Sequence, residues 1–154
     1  AYRGRSVECT ADGADEAAWH GHLDVIRDLR QQGIHCTEVG ANWACGSHHV
    51  DVINDLREHG IHCTYLGADF AAWNGHLDII KDLQERGISC SPEGANWAAR
   101  NGFLEIVHFL RSHNIHCNPT GADFAAWSGH KEILQDLINH GIAPTAASAA
   151  ARGV

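Results

Sequence analysis

Polar and apolar positions recur along this chain with a period of 27 residues. From residue 23 to 32, Leu23, Val25, Ile26 and Leu29 share one side of a 3.6-residue wheel while Asp24, Arg27, Asp28 and Arg30 share the other, which predicts a short amphipathic helix. Ahead of it, Ala14 to His20 is built around the small pair Ala17-Ala18 and predicts a first helix closed by Gly21. Gly33 supplies a left-handed stop after the second helix, and Asn114 replaces it once. A connection from Gly33 to Val39 then leads into the next copy. Neither helix is long enough to hold its shape alone, so the pattern predicts hairpins that bury their apolar faces against the hairpins before and after them.

Five full copies divide the chain into 13–39, 40–66, 67–93, 94–120 and 121–144. Residues 1–12 read as a partial N-terminal repeat, because Arg5 to Thr10 matches the end of a copy, and 145–154 as an Ala-rich flexible tail. The predicted fold class is all-α, an α-solenoid of five stacked helical hairpins. A second period of 54 residues lies over the first: Asp15, Asp69 and Asp123 alternate with Asn42 and Asn96, and Trp19, Trp73 and Trp127 alternate with Gly46 and Arg100. The place before the Ala pair is taken by Glu16, Trp43, Phe70, Trp97 and Phe124. Lys131 and Pro144 break the pattern of the last copy, and polar replacements at the ends read as caps on a nearly complete array.

The run GANWAARNGFLEI at 94–106, and AAWNGHLDII at 71–80, resemble the ankyrin repeat, with its two small Ala residues followed by Asn-Gly-His-Leu and an acidic-aliphatic helix. The resemblance spans 5–144. It departs in the loop, where an ankyrin unit of about 33 residues is cut to 27 and the Thr-Pro-Leu-His opening is missing. Such a chain looks most like the shortened arrays of large DNA viruses and some protists. The resemblance implies ankyrin-like hairpins without well-developed β-hairpin fingers and a buried place for Trp43, Phe70, Trp97 and Phe124. It also implies a structural role for His22, His49, His76, Phe103 and His130 between neighbouring repeats. In function it implies a non-catalytic protein-interaction scaffold.

Composition narrows the classes further. A formal charge of −8 gives no basic footprint for nucleic acid or anionic membranes, and no run approaches the length of a membrane span. The chain does not begin with Met, as a processed or truncated chain would not. Cys9, Cys36, Cys63, Cys90 and Cys117 form a ladder at the repeat spacing, with Cys45 extra. Stacked helices about 8–10 Å apart hold equivalent cysteines beyond disulfide reach, so the ladder reads as small buried hydrophobes and points to a reducing, cytoplasmic compartment. Among 13 His, the spacings His59-X-X-His62-Cys63 and His113-X-X-His116-Cys117 are the nearest to a metal motif. Adjacent residues point apart, however, and the other copies lack the pattern, so no metal or other cofactor is expected. No phosphate loop or nucleophile elbow is present, and the chain reads as no enzyme.

The candidate partner-binding set is Trp19, Trp73 and Trp127, placed after the Ala pair where the resemblance implies a polar residue on the concave surface. His20, Asn74, Arg100, Asn101 and Ser128 stand beside them and would complete an aromatic and polar groove. In the competing packing role each Trp folds over Gly46 or Arg100 of the next copy, with Arg100 stacked between Trp73 and Trp127. Phe109, in place of the Asp28, Asp55, Asp82 and Asp136 series, is either an exposed anchor or a packing variant. Tyr65, with Glu38, Pro92 and Pro119, reads as a variable loop tip. The function expected is a scaffold for an unidentified protein partner. The alternative is a structural subunit that self-associates head to tail into a filament or oligomer.

Overall fold

Each 27-residue copy folds into two helices packed on each other. The computed structural model describes residues 10–145, so Cys9 and most of the expected partial repeat and Ala-rich tail lie outside the described residues. The described residues hold ten helices and no strand: α1 (Ala11–Trp19), α2 (Leu23–Gln31), α3 (Glu38–Gly46), α4 (Val50–Glu58), α5 (Tyr65–Asn74), α6 (Leu77–Glu85), α7 (Pro92–Arg100), α8 (Leu104–Ser112), α9 (Pro119–Trp127) and α10 (Lys131–Asn139). None of these helices is long and apolar enough to cross a membrane. The solenoid is therefore all-helical.

The first helix of each copy begins three residues earlier than its small-residue core suggests. Thr37, Thr64 and Asn118 act as N-caps, their side chains accepting the backbone N–H of Val39, Leu66 and Thr120. Pro92 and Pro119 stand at the first helical position, where a missing N–H costs nothing. Glu38, Tyr65, Pro92 and Pro119 are thus helix starts, and the reading of Tyr65 as a loop tip is corrected.

Consecutive odd-numbered helices pack directly on one another, whereas even-numbered helices stand farther apart. The difference lies in side-chain size. The odd row meets through buried Ala pairs such as Ala71-Ala72 and through glycines, and the even row buries Leu29, Leu56, Leu83, Leu110 and Leu137 beneath it. At Gly67 the backbone of α5 comes so close to α3 that an added Cβ would stand 2.8 Å from Asn42 Oδ1 and 2.9 Å from Cys63 Cβ.

Polar ladders hold the copies in register along both rows. In the odd row, Asp15 accepts both the backbone N–H (2.7 Å) and the hydroxyl (2.5 Å) of Thr37, the N-cap of α3 in the next copy. Asp69 does the same for Ser91 at 2.8 and 2.5 Å, and Asn42 accepts the N–H of Thr64 at 2.8 Å. These groups are buried, and each satisfies the cap residue of the following helix, so an otherwise costly desolvation is offset. In the even row, Arg30 pairs with the buried Asp55, Arg57 with Asp82, and Arg111 with Asp136. One step differs: Gln84 and Phe109 stand where the pattern places Arg and Asp, and Gln84 Oε1 is buried without a hydrogen-bond partner.

The turn after each first helix needs a left-handed residue. Gly75 supplies it at φ +83°, with the Phe103 ring lying against the place a Cβ would take. His48 adopts φ +62° in the same role, and its ring lies tilted against His76 at 4.7 Å and bonds Asp78 at 2.7 Å. His76 in turn bonds the carbonyl of Gly46 at 3.1 Å, the structural tie between repeats that the resemblance implies. Burial, reinforced by His48, holds the His76 imidazole below its ordinary value of 6.5. Between that lowered value and 6.5 the unfolded chain carries a proton the folded chain refuses. Stability is therefore complete above that window and declines as pH falls through it. The melting temperature is expected to drop between pH 7.5 and pH 5.5. His76→Phe, which copies Phe103, removes part of that drop in thermal scans at the two pH values, and an unchanged pH slope would refute the assignment.

Candidate functional site: an aromatic stripe on the odd-numbered helices

Within each first helix the second, third, fifth and sixth residues of the copy are buried, so the fourth and seventh share the outward face. The seventh residues are Trp19, Gly46, Trp73, Arg100 and Trp127. Trp19, Trp73 and Trp127 are 48%, 37% and 63% exposed. The fourth residues from the second copy on are Trp43, Phe70, Trp97 and Phe124, and all four are only half-buried. Their expected place in the core is corrected. Helices brought together by Ala and Gly leave no room for a ring between them, and the rings lie along the outer face instead.

The seventh residue of one copy covers the fourth residue of the next. Trp19 lies 5.4 Å from Trp43, and Trp73 meets Trp97 edge-on at 5.3 Å. At the second step Gly46 lies so near Phe70 that a Cβ would stand 2.9 Å from Phe70 Cβ. At the fourth step the Arg100 guanidinium is 5.3 Å from Trp73 and 5.3 Å from Phe124. Arg100 is thus sandwiched as expected, but its second ring is Phe124 and not Trp127. Trp19 and Trp73 thus pack on the next copy while keeping an exposed edge, and Trp127 lies 6.1 Å from Phe124 of its own helix.

The polar neighbours join this stripe unevenly. His20 stacks on Trp19 at 5.0 Å, and Asn101 donates from Nδ2 to the Trp73 carbonyl at 2.8 Å, crossing from one copy to the next. Asn74 donates back to the Phe70 carbonyl at 3.1 Å, and Ser128 is exposed beside Trp127. Two expected members lie elsewhere. Tyr65 is exposed at the opposite end of α5 from Trp73. Phe109 belongs to the even row, half-buried under Lys81 at 5.8 Å and against His113 at 4.3 Å, which makes it a packing variant. The members missed are Trp43, Phe70, Trp97 and Phe124. Their signal was present, since residues three apart on a helix share a face.

Between Trp19 and Trp43 the stripe opens into a depression of about 330 Å³, rimmed by Asp12, Glu16 and Val39. Its two indoles and three carboxylates, of which Asp15 is bonded to Thr37, suit a cationic side chain. No three His, Cys, Asp or Glu converge as a metal site among the described residues. His59 and His113 bond instead to the carbonyls of Asp55 and Phe109, at 2.8 and 3.0 Å.

The family model described as ankyrin repeats (3 copies) matches residues 68–148, just over half of the chain. Among solved structures, the human ASB11 ankyrin repeat domain is similar, with a TM-score of 0.64 at 19% identity over 84% of this chain and 69% of that one. The pentatricopeptide repeat protein PPR10, in complex with an 18-nt psaJ RNA element, gives a TM-score of 0.57 at 15% identity over 90% of this chain and 24% of that one. These likenesses concern the fold. A search of curated proteins finds no match.

Proposed function

This chain belongs to the ankyrin-repeat family, and from that premise we propose that it is a scaffold that holds a protein partner against the aromatic stripe of its odd-numbered helices. Ankyrin repeats generally mediate protein–protein interaction, and the family is generally non-catalytic. The observation that carries the reading is the exposure of Trp19, Trp73 and Trp127 at one register position on the odd-numbered helices. Large aromatics beside polar groups are what interface hot spots favour. The depression between Trp19 and Trp43, with Asp12 and Glu16 at its rim, selects a partner segment that presents Lys or Arg. The likeness to PPR10 does not extend to its RNA, because a formal charge of −8 offers phosphates no basic surface.

The test is selection of binders from a displayed peptide library, followed by the Trp19→Ala, Trp73→Ala, Trp127→Ala triple variant. Selected peptides are expected to be enriched in basic residues and to lose at least about a hundredfold in affinity for the variant. Helicity by circular dichroism should stay near the parent value. Retained affinity, or collapse of the helices, would sink the proposal. One observation favours the second reading, self-association: Trp127 is the most exposed ring of the series, at 63%. Light scattering across a concentration series separates the two. A constant mass near 16.7 kDa removes self-association, and rods or oligomers that grow with concentration support it.

A further inference from the structure

Four of the described cysteines follow the repeat, and three of them are inert. Cys36 and Cys117 donate their thiols to the carbonyls of Ala14 and Ala95 in the first helix of their own copy, each at 3.3 Å. Burial pushes Cys36 and Cys117 up to about 11 and Cys90 to about 12, so none supplies thiolate near neutral pH. The step at Cys63 is different. Cys45 stands on α3 where the other copies place the second Ala of the pair, Ala18, Ala72, Ala99 and Ala126. There it faces Cys63, in the connection after α4, across a shared cavity. The two sulfurs share a cavity of about 250 Å³ with His62, Arg57 and Arg86.

We propose that Cys45 and Cys63 are an oxidant-responsive dithiol site that a peroxide closes to a disulfide. The two thiols are unequal, as such a pair requires. The neighbouring Cys45 draws the Cys63 thiol below its ordinary value against the effect of burial, and the Arg57 guanidinium adds to the pull. The Cys63 thiol, with full burial, pushes Cys45 up. Cys63 reaches the cavity surface at 8% exposure while Cys45 is fully enclosed, so Cys63 is the attacking thiolate and Cys45 the resolving thiol. The Cys63 sulfur attacks one peroxide oxygen, the O–O bond breaks and hydroxide leaves, with Cys63 now a sulfenic acid. The departing hydroxide takes the Cys45 proton and becomes water. The Cys45 sulfur then attacks the sulfenic sulfur, the S–O bond breaks, and the second hydroxide combines with the proton Cys63 released on ionising. Two thiols are oxidised to one disulfide and one peroxide is reduced to two waters. The product ties α3 to the connection after α4 inside one repeat.

The experiment treats the full, reduced chain with a few equivalents of hydrogen peroxide, then counts free thiols by maleimide mass labelling in denaturant. Of six thiols, two are expected to be lost, with a mass decrease of about 2 Da and a link between the tryptic peptides 31–57 and 58–81. Cys45→Ala restores the residue found in the other copies and so keeps the fold. It is expected to form no disulfide, and dimedone should trap Cys63 as the sulfenic acid. Equal thiol loss in Cys45→Ala would overturn the proposal. So would a link between other cysteines, or six intact thiols at a peroxide level that oxidises an unstructured cysteine peptide.

Discussion

Gly67→Ala is expected to destabilise the array by about 1–2 kcal/mol, although it places a better helix former inside α5. Intrinsic propensity favours Ala over Gly in a helix by about 1 kcal/mol. Against that gain stands the contact: a Cβ at Gly67 would lie 2.8 Å from Asn42 Oδ1, 2.9 Å from Cys63 Cβ and 3.2 Å from Asn42 Cα. Neither the α3 backbone nor Cys63 is a flexible tip that can swing away. Overpacking of this kind costs about 1–3 kcal/mol, and it also disturbs the Asn42 bonds to the Thr64 backbone at 2.8 Å and hydroxyl at 3.1 Å. The control is Gly13→Ala, at the same register of α1, where nothing lies within 4 Å of an added Cβ. There only the propensity acts, and stability is expected to rise by about 0.5–1 kcal/mol. Urea unfolding of the two variants decides the matter, because a shift of the same sign in both would show that inter-repeat contact does not govern this position.

Arg30→Gln is expected to cost about 2–3 kcal/mol, far more than a surface ion pair would. Asp55 is 6% exposed and Arg30 16%, so the pair sits between the exposed limit of about 0–1 kcal/mol and the buried limit of about 3–5 kcal/mol. Burial alone would raise the Asp55 carboxyl, but the Arg30 hydrogen bonds and charge, helped by Arg27, hold it below its ordinary value of 3.8. Without Arg30 that carboxylate stays desolvated and poorly compensated. The chain itself contains the repaired version: two copies on, Gln84 and Phe109 replace both partners, and Lys81 takes the place of Arg27 over the ring. The double variant Arg30→Gln, Asp55→Phe is therefore expected to recover at least half of the loss, as the coupling in a double-mutant cycle. Additive losses would show that the ladder is decorative.

How much of this was legible depends on what each residue faces. The period, the two helices per copy and the stacked architecture followed from residues such as Leu23, Ile26 and Leu29, whose partners lie on the same hairpin or its immediate neighbour. The N-caps were legible too, since Thr37 and the Asn118-Pro119 pair are ordinary helix-start signals, and the small-residue core alone placed the helix starts too late. The aromatics were misplaced for a different reason. A buried Leu in the ankyrin pattern and a half-exposed Trp97 have the same helical register, and only the separation between helices decides which of them fits.

Periodicity thus decided the class of fold and the two helices of each copy, because those properties depend on neighbours within a turn or a hairpin. The approach of one copy to the next decided the rest. It set Trp19 over Trp43, put Arg100 between Trp73 and Phe124, and separated Tyr65 and Phe109 from the stripe. It also joined the one extra cysteine, Cys45, to Cys63. Residues some two dozen positions apart meet only when Ala and Gly let the first helices close, and no pattern along a single helix records that distance.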